Sequence, residues 1–141
     1  MFAIYVIVTV CRKAHFNAAH RLHVSSWDEE QNKDFFGLCN NENYHGHNYQ
    51  LIVKVKGKVD ETSGYLIDMK ELSKIIKEEV ENPFDHKNLN LDTEEFKHLN
   101  PTAENIAGVI YRKIKTRLNP DFQLSITLYE TERNFIEYHG E

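Results

Sequence analysis

The chain of 141 residues is poor in cysteine, has no dense block of lysine and arginine, and has no long apolar run. Two cysteines, Cys11 and Cys39, are too few for a disulfide framework, and a reducing cytoplasm is the simplest setting for both. The formal net charge of −5 argues against nucleic acid or an anionic membrane as the main partner. The cysteine usage therefore predicts a cytoplasmic protein. No segment approaches the ~20 apolar residues of a membrane span.

The apolar segment at residues 2–11 differs from a secretory signal peptide. The basic residues Arg12 and Lys13 follow this segment instead of preceding it, and no small-residue cleavage site is evident. We therefore predict a strand at this position. The length and the composition, with 40% hydrophobic and 28% charged residues, are ordinary for one globular domain. We expect residues 1–141 to form a single domain without internal repeats or linkers.

The pattern of apolar residues predicts the element order β-β-α-α-β-β. Strand periodicity predicts four strands, at residues 4–18, 45–59, 122–130 and 134–139. Helical spacing predicts two long helices, at residues 69–80 and from about 100 to 118. We expect Asp68 to cap the first helix and Pro83 to end it, with irregular chain at residues 85–99. This order predicts an α+β fold in which a four-stranded antiparallel sheet carries two helices on one face.

A polar segment at residues 25–44, rich in asparagine, separates the first two predicted strands. A short helix is expected at residues 28–34, starting from a serine cap. Loops of this length are uncommon unless they carry function, so we interpret the rest of the segment as a functional insertion.

The uncovered face of the predicted sheet also carries apolar residues, because Leu51 and Ile52 point to opposite sides of one strand. Ordinary surface apolarity is one explanation. We favour oligomerisation, in which sheets join edge to edge so that no strand edge stays unpaired.

Three histidines have the spacing of a metal site. His45 and His47 are two residues apart in a predicted strand, so their side chains project from one face, about 7 Å apart along the strand. His20, at the end of a neighbouring strand, completes a triangle. Three neutral imidazoles with an open fourth position are typical of catalytic zinc, because structural zinc usually has four protein ligands. A surface or core position is the alternative for any single histidine in a chain with eight of them.

Six short motifs follow one another along the chain, namely His20-Arg21-Leu22-His23, Phe36-Gly37-Leu38-Cys39-Asn40-Asn41, His45-Gly46-His47-Asn48-Tyr49, Asp85-His86-Lys87-Asn88-Leu89, Thr102-Ala103-Glu104-Asn105 and Tyr129-Glu130-Thr131. In this order they resemble the 6-pyruvoyltetrahydropterin synthase family, which includes the 6-carboxytetrahydropterin synthases of queuosine biosynthesis. The resemblance covers roughly residues 8–140. It implies the tunnelling fold, in which three subunits close a twelve-stranded barrel and two trimers stack into a homohexamer.

The resemblance also implies a set of site residues. The zinc ligands would be His20, His45 and His47, with one ion per subunit, and active sites would lie at subunit interfaces. The implied catalytic residues are Cys39, Asp85, His86 and Glu130, and the implied substrate-binding residues are Glu130, Glu104 and Thr102. In these roles Cys39 would abstract a proton, Asp85 and His86 would form a relay, and Glu130 would anchor the pterin ring. Each has a plainer alternative, such as a surface histidine, a solvated strand glutamate or a carboxylate at a helix start.

The implied activity is a zinc-dependent lyase that converts 7,8-dihydroneopterin triphosphate to 6-pyruvoyltetrahydropterin and releases triphosphate. The long spacing between Cys39 and His45 favours this activity. Residues 100–104 and 65–68 look more like 6-carboxytetrahydropterin synthase, which is the first alternative. A non-catalytic zinc- and pterin-binding module and an aldolase-like activity are the others. The three enzymatic possibilities differ in their products, and the binding module would form no product.

Overall fold

The computed structural model describes residues 5–141, so the predicted strand start at residue 4 lies outside the described part. Four strands follow the predicted order: β1 Ile7–His20, β2 His45–Lys58, β4 Gln123–Tyr129 and β5 Phe135–Tyr138, and a two-residue strand, β3, lies at Lys87–Asn88. The strand order in the sheet is β3-β1-β2-β4-β5. The pairs β1–β2, β2–β4 and β4–β5 are antiparallel, as predicted.

The helices are α1 Glu29–Phe36, α2 Met69–Ile76, α3 Asn82–Phe84, α4 Leu89–Asp92 and α5 Ala103–Lys115. Asp28, not a serine, caps α1 by accepting a hydrogen bond from the Gln31 N–H. Asp68 caps α2, as predicted, by accepting from the Lys70 N–H. Both caps are aspartates, whose short carboxylate side chains can accept hydrogen bonds from N–H groups that a helix start leaves unpaired.

Two predictions about residues 77–99 are wrong. Pro83 does not end the helix after α2, because a π-helical turn at Lys77–Glu81 leads into α3, which contains Pro83 near its start. Proline is tolerated in a first helical turn, where its missing N–H would have no intrahelical acceptor. Residues 85–99 are also not wholly irregular. They include α4 and β3, and β3 adds a fifth strand, parallel to β1, at Ala18 and Ala19.

The core lies between one face of the sheet and the long helices. Alternate residues of β2 and β4 and one stripe of each helix are buried, including Leu51, Val53, Leu72, Ile75, Ile106, Ile110 and Ile126. On the opposite face of β1, the side chains Cys11, Lys13, His15 and Asn17 are exposed. Helices on one face of an antiparallel sheet form the predicted α+β arrangement. Within the described range, no helix has the length and apolar character to cross a bilayer.

Candidate metal centre and active site

The pairing of β1 with β2 brings the three histidines together. His20 is directly opposite His45, and Ala18 is opposite His47. Opposed residues of an antiparallel pair share a face, and strand alternation adds His47 to the same face. Each of the three rings offers a nitrogen, and these nitrogens all lie within 4.8 Å of one another. The predicted triangle therefore forms at the end of the β1–β2 pair, where the loop at residues 21–44 leaves and rejoins the sheet.

His20 is the fully buried member of the group. Its Nδ1 lies 2.7 Å from the carbonyl oxygen of Pro101. Because a carbonyl oxygen can only accept, we assign the proton of His20 to Nδ1, which donates to Pro101. The Nε2 atom then carries a free lone pair, and it lies 3.0 Å from Nε2 of His45. Metal-binding histidines are usually oriented in this way, with the second ring nitrogen bonded to a carbonyl or carboxylate.

Electrostatics keep two of these rings neutral at neutral pH. Burial lowers the pKa of His20 to about 4, with smaller contributions from His45 and His47, while the hydrogen bond to Pro101 acts in the opposite direction. Burial, followed by the nearby His47, also lowers the pKa of His45. A histidine binds a metal only in its neutral form, so these shifts favour metal binding over protonation.

The nitrogens fit a divalent metal ion. Within residues 5–141, the buried atoms His45 Nδ1 and His47 Nε2 have no hydrogen-bond partner. Most buried polar atoms do have one, so a missing partner needs an explanation. Two nitrogens on a tetrahedral zinc ion are about 3.3 Å apart, given the usual bond length. The three ligand nitrogens, all within 4.8 Å of one another, are close enough to approach this spacing. The three histidines are positioned to bind a metal, and three imidazoles suit zinc and several other transition ions.

Cys39 lies in a short 3-10 turn at Gly37–Asn40 that is tied to the segment after His20. The Leu22 N–H donates to the Cys39 carbonyl at 2.8 Å, and the side-chain amide of Asn40 donates to the Leu22 carbonyl at 2.9 Å. Burial raises the pKa of the Cys39 thiol, and the negative charge of Glu130 raises it further. Without a neighbouring cation, this thiol stays protonated at neutral pH.

Glu130, Thr102 and Glu104 line one cleft, which Arg133 and Phe135 also border. The predicted substrate-binding residues are therefore neighbours in the structure. Glu130 also lines a second depression together with His47. Glu130 thus borders both the cleft and the depression that includes His47.

Thr102 has a structural role in addition to its place in the cleft. Its hydroxyl oxygen accepts from the Asn105 N–H at 3.2 Å and caps α5. The side chain of Asn105 donates to the Asn100 carbonyl at 2.8 Å. These bonds hold the turn that presents the Pro101 carbonyl to His20.

Asp85 and His86 lie apart from this group, at the outer edge of β1. Asp85 accepts a hydrogen bond from the Asn17 N–H at 2.8 Å and contacts His86 at 2.9 Å. The Asn17 bond is the main cause of the lowered pKa of Asp85, and His86 adds to it. The side chain of His86 is 84% exposed. Over the described chain, no hydrogen bond or ion pair joins Asp85 or His86 to Cys39, Glu130 or a histidine ligand.

Tyr49 is a further residue of the site that sequence reasoning missed. Its side chain is fully buried, and its hydroxyl oxygen lies 3.3 Å from Nδ1 of His20. Burial raises the pKa of Tyr49, with Glu130 and then Cys39 adding to the shift. Strand alternation from His45 through His47 to Tyr49 is the signal that could have identified it.

The fold and the histidine centre together define an α+β protein of the tunnelling-fold type with a metal-binding group at the end of its first strand pair. A family model described as 6-pyruvoyl tetrahydropterin synthase matches residues 9–141. The chain belongs to this family, which confirms the resemblance seen in the motifs.

Similar proteins extend over almost the whole chain. The putative 6-pyruvoyl tetrahydrobiopterin synthase of Caenorhabditis elegans is 43% identical over 135 residues, which are 95% of this chain and 96% of that relative. The human 6-pyruvoyl tetrahydrobiopterin synthase is 37% identical over 132 residues, with 94% and 91% covered. The solved structure of Caenorhabditis elegans 6-pyruvoyl tetrahydropterin synthase superposes with a TM-score of 0.91 at 41% identity and covers 100% of both chains.

Relatives with other names are less similar. A 6-carboxy-5,6,7,8-tetrahydropterin synthase of Haemophilus influenzae is 33% identical and covers 72% of this chain. A dihydroneopterin monophosphate aldolase of Pyrococcus furiosus is 33% identical and covers 84%. Similarity therefore favours the pyruvoyl-type relatives over those that represent the alternative activities.

Proposed function

We propose that this protein is a zinc-dependent lyase that converts 7,8-dihydroneopterin triphosphate to 6-pyruvoyltetrahydropterin and releases triphosphate. The observation that carries the proposal is the convergence of three histidines, two with unpartnered buried nitrogens, beside Glu130. The similarity to proteins named 6-pyruvoyl tetrahydrobiopterin synthase supports the choice of reaction.

His20, His45 and His47 would hold the zinc ion. A bound zinc ion would supply Lewis acidity for the substrate hydroxyl oxygens, which lowers the cost of negative charge developing on the side chain of the substrate. The neutral state of His20 and His45 supports this role, because protons do not compete strongly for their nitrogens near pH 7.

Cys39 is the proposed base that removes a proton from a hydroxyl-bearing carbon of the substrate. Thiolate is the reactive form of cysteine, and burial together with Glu130 disfavours it in the protein alone. Cys39 therefore depends on a nearby positive charge to become active at neutral pH. A metal ion held by the three histidines would supply such a charge.

Glu130 is the proposed anchor of the pterin ring. A carboxylate can accept two hydrogen bonds, from the amino group and a ring N–H of a pterin, and such charge-assisted pairs are strong and selective. Glu104 and Thr102 would contact the substrate from the other side of the same cleft. Because the Thr102 oxygen already accepts from Asn105, its O–H group is free to donate to the substrate.

Asp85 and His86 are the proposed relay, and in one chain they lie outside the cleft. We therefore propose a homo-oligomer, a hexamer built from two trimers, in which one subunit presents this pair to the site of its neighbour. Within residues 5–141, β3 pairs with β1 at Ala18 and Ala19, and Asp85 and His86 bond the backbone of Asn17, so the outer edge of β1 from Ile7 to His15 is open for another strand. An open edge of this length favours pairing with a second chain.

We also propose a cytoplasmic location, because a reducing cytoplasm suits the two free cysteines.

The product decides between this function and its alternatives. The zinc-loaded protein is incubated with 7,8-dihydroneopterin triphosphate, and pterins, triphosphate and acetaldehyde are measured. We expect 6-pyruvoyltetrahydropterin and one equivalent of triphosphate, without acetaldehyde. Acetaldehyde would instead identify a 6-carboxytetrahydropterin synthase, and 6-hydroxymethyl-dihydropterin an aldolase. Pterin binding without turnover would identify a binding module.

A further inference from the structure

We propose that Tyr49 is a positioning residue that holds the ring of His20 in the tautomer and orientation that metal binding requires. The inference rests on the proposed metal site and adds a residue outside the set of ligands. Tyr49 acts through His20, and no contact between Tyr49 and the metal or the substrate is needed.

The position of Tyr49 in the sheet aims its hydroxyl at His20. Tyr49 follows His47 by two residues in β2 and lies opposite Phe16 of β1. Its ring stacks on Phe16 with 4.9 Å between ring centroids and 13° between the ring planes. A buried ring stacked in this way has little freedom to turn, so the 3.3 Å separation between its hydroxyl oxygen and His20 Nδ1 is held by packing.

The direction of the hydrogen bond follows from the second neighbour of His20 Nδ1. The Pro101 carbonyl oxygen, at 2.7 Å, accepts the N–H. If Tyr49 donated its proton to Nδ1 instead, a bare nitrogen would face the carbonyl oxygen with no hydrogen between them. The Tyr49 oxygen is therefore a second acceptor of the same N–H. Two acceptors keep the proton on Nδ1 and leave Nε2 free, 3.0 Å from His45 Nε2.

Packing alone does not require a hydroxyl at this position. A phenylalanine ring would preserve the stack on Phe16, and a buried hydroxyl is costly unless it has a hydrogen-bond partner. Among residues 5–141, the hydrogen-bond partner of the Tyr49 hydroxyl is His20 Nδ1. The hydroxyl thus serves the orientation of His20.

The test compares zinc affinities of the wild type and Tyr49→Phe. Metal-free protein competes with a chromogenic chelator for zinc at pH 7. We expect about tenfold weaker binding by Tyr49→Phe, at the lower end of the usual effect of losing such an outer partner. The matched control is Tyr138→Phe, which removes a hydroxyl from a ring packed on Tyr111, away from the histidines. The control should bind zinc like the wild type.

Each outcome separates the inference from the proposed function. If the wild type binds no zinc, the metal-dependent function is wrong. If the wild type binds zinc and Tyr49→Phe binds it equally well, the function stands and the positioning role is wrong. A lower melting temperature of metal-free Tyr49→Phe with unchanged zinc affinity would show a purely structural role.

A second measurement does not depend on the folding of any variant. Nitrogen-15 NMR of the imidazole rings in the metal-free wild type reports which nitrogen of His20 carries the proton. We expect the Nδ1–H tautomer. A predominant Nε2–H tautomer would overturn the inference, because Tyr49 and Pro101 would then not act as acceptors.

Discussion

Two parts of the predicted site are built in different ways. The histidine centre lies on the buried face of the β1–β2 pair, where one nitrogen from each of the three rings lies within 4.8 Å of the other two. The pair Asp85 and His86 lies at the open edge of β1, with His86 mostly exposed. One chain is therefore sufficient to assemble the metal centre. Within residues 5–141, the proposed relay pair has no hydrogen bond or ion pair with Cys39, Glu130 or the three histidines.

Loss of a histidine ligand should have the largest effect. We expect His45→Ala to abolish zinc binding and turnover, because two remaining imidazoles do not form a catalytic zinc site. Zinc binding is measured as the zinc content after gel filtration, and turnover is measured as product formation. The exposed His98 provides the control, since His98→Ala should retain both properties. Normal zinc content in His45→Ala would contradict the histidine centre.

Removal of the thiol should be the next largest effect. We expect Cys39→Ala to keep zinc and to bind the pterin, and to lose turnover by about 10²- to 10⁴-fold, as is usual when a positioned base is lost. Cys11→Ala is the matched control, because Cys11 is exposed on the opposite face of the sheet. Full activity of Cys39→Ala would exclude a catalytic thiol.

The exposed pair can be tested by mixing subunits. His86→Ala and Cys39→Ala should each be poorly active alone. If each site combines Cys39 of one subunit with His86 of another, random mixing after unfolding and refolding restores both residues in about a quarter of the sites. If both residues act within one chain, mixing restores nothing. The turnover of the mixture is compared with that of each variant refolded alone. Recovered turnover would show that Cys39 and His86 act together across two subunits.

Acid should destabilise the buried centre by a smaller amount. His20 binds a proton near its ordinary pKa of 6.5 when unfolded, and only near pH 4 when folded. The contribution of neutral His20 to the free energy of unfolding is therefore complete above pH 6.5. As the pH falls toward 4, this contribution, on the order of 3 kcal/mol, is lost. Denaturant unfolding of the metal-free protein from pH 7 to 4 measures it. His20→Phe should flatten this dependence, and an unchanged pH profile in that variant would contradict the assignment to His20.

Local patterns predicted the parts of the site that lie close together along β2. Strand alternation placed His45 and His47 on one face, and the motif order identified the family. The second partners could not be predicted in this way. Pro101 is 81 residues from His20 along the chain, and its contact depends on how α5 docks against the sheet. The same docking brings Thr102 and Glu104 beside Glu130.

Errors occurred where tertiary contacts outweigh local signals. Pro83 is a strong helix terminator by sequence, yet the π turn before it allows the chain to continue helically to Phe84. β3 has two residues, and its pairing with Ala18 and Ala19 gives it strand character that its own sequence does not carry. Such short elements have no periodicity from which to predict them.

The sequence alone determined the strand and helix order, the shared face of the two neighbouring histidines and the family, because these depend on periodicity and on short motifs. The tertiary structure decided which groups surround those residues. It brought the Pro101 carbonyl and the Tyr49 hydroxyl to His20, and it left Asp85 and His86 exposed at the edge of β1. The physical reason is that hydrogen bonds between distant segments depend on packing in three dimensions, which no local pattern encodes.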